Sequence, residues 1–124
     1  MRILIILIAV LSTPAFGEEG PSILKIFDQF VVSSAATSKC AQPDKETLTE
    51  FLTNFQTVSV YTSQELQKQF PNRTQQEIAA AMKGKSQAIT EKVNFLVAEK
   101  GCSDPDVQVI VKRFYMQAKW KPGK

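Results

Sequence analysis

The sequence predicts an all-α protein, a small bundle of four to five helices with one disulfide. Three observations lead there. Beyond residue 20 the apolar residues recur at steps of three and four, and no segment alternates as a strand would. Pro21, Pro43, Pro71, Gly101 and Pro105 punctuate those stripes at positions where helices start or stop. The only two cysteines, Cys40 and Cys102, form an even pair in a chain that opens like an exported one.

Residues 1–17, "MRILIILIAVLSTPAFG", carry one positive charge at Arg2, an apolar run from Ile3 to Leu11, then Pro14 and the small-flanked triplet Ala15-Phe16-Gly17. This is the pattern of a secretory signal peptide. The apolar run is about half of the roughly 20 residues a membrane-crossing helix needs. The expected cleavage near Gly17 leaves residues 18–124 as a single helical domain, periplasmic or extracellular. Loss of Arg2 lowers the net charge from +3 to about +2, too little to call for nucleic acid or another polyanion. In an oxidising compartment Cys40 and Cys102 are expected to pair, and closing a loop of about 60 residues stabilises by roughly 4 kcal/mol.

The first helix is expected from Pro21, a residue suited to the first helical position. It turns Ile23, Ile26, Phe27, Phe30 and Val31 to one face and fades through Ser33 to Ser38, where small and hydroxyl residues replace the stripe. Pro43 and Asp44 open a second helix with Leu48, Phe51, Leu52, Phe55 and Val58 inward. The β-branched run around Thr57 to Thr62 is expected to end or bend it. Thr62 to Glu65 and Thr74 to Glu77 both fit the capping box. A short third helix with Leu66 and Phe70 inward would then stop before Pro71. A long fourth would begin near Gln75, turn Ile78, Ala81, Met82, Ala88, Ile89, Val93 and Leu96 inward, and end at Gly101 in the left-handed terminating position. The fifth opens with Asp104 as cap and Pro105 at its first position, with Val107, Ile110, Val111, Phe114 and Ala118 inward.

The chemistry is limited by what is missing. The chain has no histidine, which removes the commonest general base and metal ligand. The two cysteines lack the spacing of a redox pair or zinc site, and the five glycines form no phosphate loop. Asp104 and Asp106 complement a helix start, and Glu46 and Glu50 read as the solvated face of the second helix. No enzymatic role, metal or cofactor is expected. Asn72-Arg73-Thr74 matches the glycan acceptor pattern and reads as surface loop.

The last helix carries a second stripe. Stepping 100° per residue, Val109, Arg113, Met116 and Trp120 fall roughly opposite the inward face, with Lys112 and Lys119 beside them. Aromatic, Met and Arg residues are enriched at interfaces. Such a stripe suits another protein or an unfolded segment, or an anionic membrane surface with tryptophan at the boundary. Two other readings compete. The helix can lie sandwiched between neighbours, so that both stripes are core and Arg113 is paired or snorkels. Alternatively Lys112, Arg113, Lys119, Lys121 and Lys124 simply complement the negative end of the last helix.

The placement of Cys40, Cys102, the Phe51-Leu52 pair and Trp120 is similar to that in the small acid-stress chaperones of the bacterial periplasm. Those are exported all-helical domains with one disulfide and a basic, aromatic-bearing final helix. This chain is basic where they are acidic, and its segment between the cysteines is longer. The resemblance implies a binding or chaperone-like role. The expectation is therefore an exported, non-enzymatic binding protein of a Gram-negative cell envelope, with a self-associating structural protein or a membrane-surface protein as the alternatives.

Overall fold

The computed structural model describes residues 22–121. The expected signal peptide, Pro21 and Lys124 lie outside the described residues. Among those described there are four helices and no strand: α1 (Ile23–Cys40), α2 (Lys45–Gln69), α3 (Gln75–Lys100) and α4 (Pro105–Ala118). The all-α fold holds, with four helices where four to five were expected.

Each helix starts where a side chain can take up its free backbone donors. Ser22 Oγ accepts from the Lys25 N–H at 3.3 Å, and Asp44 Oδ1 from the Thr47 N–H at 2.7 Å. Thr74 and Glu77 form the full capping box, with bonds of 2.9 and 3.1 Å. Asp104 Oδ2 accepts from Asp106 N–H at 2.9 Å ahead of Pro105. These caps match the expectations from sequence, apart from a first helix that begins two residues later.

Two expectations about helix extent fail. The second and third helices are one helix, α2, and Thr62 sits in its interior rather than at a cap. The β-branched residues there cost at most about 0.7 kcal/mol each in helix propensity. Burying Val58 and Thr62 against α1 outweighs that, since a valine side chain alone gains about 1.5 kcal/mol or more. The first helix does not fade either. Ser33, Ala35, Ala36 and Thr37 are all buried, because small side chains let other helices approach α1 closely.

The helix α1 is the centre of the bundle and touches all three others. Its Phe27, Phe30 and Val31 join Phe51, Val58, Phe114 and Ala118 in one core cluster. Phe51 stacks on Phe114 at 4.0 Å between ring centroids, and Phe30 lies 5.3 Å from Phe51. The C-terminal half of α1 forms a second cluster with Val93, Val107 and Val111. Because α2 packs on α1 and α4 but only lightly on α3, Leu48 and Leu52 are exposed rather than inward. Ala81 and Ala88 of α3 are likewise exposed.

The disulfide forms as expected. Cys40 and Cys102 are joined at 2.06 Å, with a Cα–Cα distance of 5.4 Å across 62 positions. Beside it Gly101 ends α3 with φ 88° and ψ 158°. The positive φ was expected, but ψ is extended rather than helical. That combination is open almost only to glycine.

Gly101→Ala should therefore destabilise by about 1–3 kcal/mol in urea unfolding. The cost is backbone strain alone, since a Cβ there meets no atom within 4 Å.

The Asp44 carboxyl is held below its ordinary value of 3.8, chiefly by the backbone hydrogen bond from Thr47, with a smaller contribution from the Lys119 charge. A lowered folded value means that this cap contributes fully above about pH 4, and the contribution is lost as pH falls through the lower folded value. Asp44→Asn should flatten the acid limb of a melting-temperature profile below pH 4, with little change in its shape at neutral pH.

Candidate functional site

The inward face of α4 is as expected: Val107, Val111, Phe114 and Ala118 are buried and Ile110 is partly buried. On the opposite side Met116 is 72% exposed, Val109 57% and Trp120 38%. Among the described residues no helix sandwiches α4, and Val109 and Met116 of the second stripe face outward. Helix-end complementation fits Lys119, the C-cap residue of α4, but not Lys112 and Arg113, which lie further back. The last turn of α4 holds no basic residue, and the dipole effect fades within that turn.

The six expected residues do not share one environment. Lys119 is tied to Glu50 of α2 at 3.7 Å. Glu50 is accordingly half-buried rather than solvated. Among the described residues, Lys112 and Arg113 enter no ion pair. Trp120 lies past the end of the helix, not on it. A tight turn, closed by the Trp120 N–H on Gln117 O at 3.2 Å, carries it back over α1. There its ring meets Phe30 edge-on, with centroids 6.2 Å apart.

That turn is held by a residue the sequence reading passed over. The Asn54 side-chain amine lies 2.8 Å from Gln117 O, 2.9 Å from Trp120 O and 3.3 Å from Ala118 O. Only the amine end of the amide can face three carbonyls, so its orientation follows from the contacts. It caps the free carbonyls of α4 from a neighbouring helix. A signal was present: Asn54 falls three positions after Phe51 and four before Val58, on the inward stripe, and a buried amide requires partners.

With Trp120 so placed, a groove of about 280 Å³ opens between α1 and α4. Ile26, Phe30, Met116 and Trp120 supply its apolar lining, and Gln29, Arg113 and Gln117 its polar edge. Ser33 donates to Gln117 Oε1, which leaves the amide N–H groups of Gln117 directed elsewhere. The sequence placed the α4 half of this groove, but not the α1 half.

A second exposed apolar site is on α3, where Phe95 is 68% exposed and lies beside Ala88, Leu96 and alternating Glu and Lys residues. The carboxylates singled out from sequence have structural tasks: Asp104 caps α4 and Asp106 pairs with Lys100 at 3.4 Å.

No protein-family model matches the chain, and neither a curated protein nor a solved structure shows significant similarity to it.

Asn54→Ala should cost about 1–3 kcal/mol, since it strands buried carbonyl groups. It should also free the turn, so that the emission of Trp120, the single tryptophan, shifts to the red in the folded protein.

Proposed function

We propose that this protein is an exported, non-enzymatic binding module that captures a protein partner through the outward face of α4. The observation that carries the reading is the exposure of Val109 and Met116 beside Lys112 and Arg113, which enter no ion pair among the described residues, on a helix anchored at both ends. An apolar strip with arginine at its edge, on a helix attached at both ends, has the properties of a contact surface. Export is supported by the leader-like residues 1–17 and by a disulfide that an oxidising compartment would preserve. The similarity of layout to periplasmic acid-stress chaperones points the same way.

Trp120 is a poor position for the test, because its ring also covers Phe30. Val109→Ser with Met116→Ala should leave the melting temperature within a degree or two, as surface changes usually do. The same pair should abolish retention of envelope proteins by the immobilised mature chain. Unchanged retention would remove α4 as the binding face.

A second reading, self-association, is favoured by the exposed Phe95. It places the contact on α3, and Phe95→Ala would then convert concentration-dependent oligomers to monomers without affecting capture through α4.

A further inference from the structure

We infer that the groove between α1 and α4 is a site for a peptide segment in which an apolar side chain adjoins a carboxylate. The inference rests on the reading of α4 as the binding face and specifies its ligand. Charge complementarity carries it. All 12 acidic residues of the chain precede Val107, and residues 107–124 contain none. The acid on the adjoining part of α1, Asp28, is already committed to Lys85 at 3.2 Å. Arg113 is half-buried at the groove edge and, among the described residues, enters no ion pair; its chain neighbour Lys112 enters none either.

Arginine placed in this way favours a carboxylate. Its planar fork binds both oxygens at once, and partial burial against apolar neighbours strengthens the bond relative to open water. The groove walls, Ile26, Phe30, Met116 and Trp120, set the second requirement. At about 280 Å³ the space suits one aliphatic or aromatic side chain with its backbone, not an extended chain. Gln29 and Gln117 then lie where a peptide backbone would pass, with amide groups able to donate to its carbonyls. A bilayer provides no such backbone and meets a concave site poorly, so an acidic peptide is favoured over an anionic lipid surface.

The single tryptophan forms part of the groove wall and serves as the reporter. A short capped peptide with a central Glu-Leu-Glu should shift Trp120 emission saturably, with affinity that falls as salt rises. The same peptide with Gln-Leu-Gln should bind about tenfold more weakly. Arg113→Gln should erase that difference by weakening only the Glu peptide, and Arg113→Lys should retain part of it, because it keeps the charge but loses the fork. Unchanged circular dichroism of both variants separates this from misfolding.

If wild-type protein holds the Glu and Gln peptides equally, and Met116→Ala weakens both, the carboxylate assignment falls while α4 remains a binding face. A response to phosphatidylglycerol vesicles but to neither peptide overturns the peptide site in favour of a membrane surface. Silence toward every probe, together with unimpaired envelope capture by the Val109 and Met116 variant, removes both readings.

Discussion

The Cys40–Cys102 bond joins the last residue of α1 to the corner that precedes α4 and fixes where α4 starts. At 14 residues α4 is the shortest helix and would be only marginally stable alone. Its start is fixed covalently, its middle by the Phe51–Phe114 stack and its end by Asn54. These three attachments lie on one side of the helix or at its ends. The outward side is thus held rigidly without contributing to the hold, which is the condition for a surface that binds without ordering itself first.

The number of helices decides what that surface is. Because α2 continues through Thr62 to Gln69, the described residues form four helices, and α1 occupies their centre. The helix α3 packs on α1 and only lightly on α4, so nothing within the described chain reaches Val109 or Met116. Continuation of α2 through a β-branched run thus leaves no separate short helix among the described residues.

Charge is arranged on the same plan. The small overall net charge conceals a segregation in which the last 18 residues carry only positive side chains. Where α2 comes close, Glu50 neutralises Lys119. Where α1 forms the groove floor no such partner is supplied to Arg113 among the described residues. An arginine half-covered by apolar neighbours has lost part of its hydration without gaining an ion pair, and a carboxylate ligand would restore the balance.

Much of this architecture was legible from local chemistry. Asp44, Thr74 and Asp104 cap helices because their side chains satisfy donors three residues away or nearer, and that requires no knowledge of the rest of the chain. Cysteine parity specified the disulfide, and the 3.6-residue period identified both faces of α4. What the sequence alone left open were the relations between helices. Ser33 and Ala36 read as the end of a stripe until another helix is present to exploit their small size. Leu48 and Leu52 read as core until α3 is seen to pack on α1 instead. Asn54 has no visible task until the carbonyls at the end of α4 arrive beside it, 63 to 66 positions along the chain. Periodicity states which residues share a face, whereas burial depends on what the fold places opposite that face. The sequence by itself determined the all-α class, the caps at Asp44, Thr74 and Asp104 and the staple; only the tertiary structure decided that α2 runs unbroken through Thr62, that the second stripe of α4 faces solvent and that Ile26 and Phe30 line a groove with Arg113.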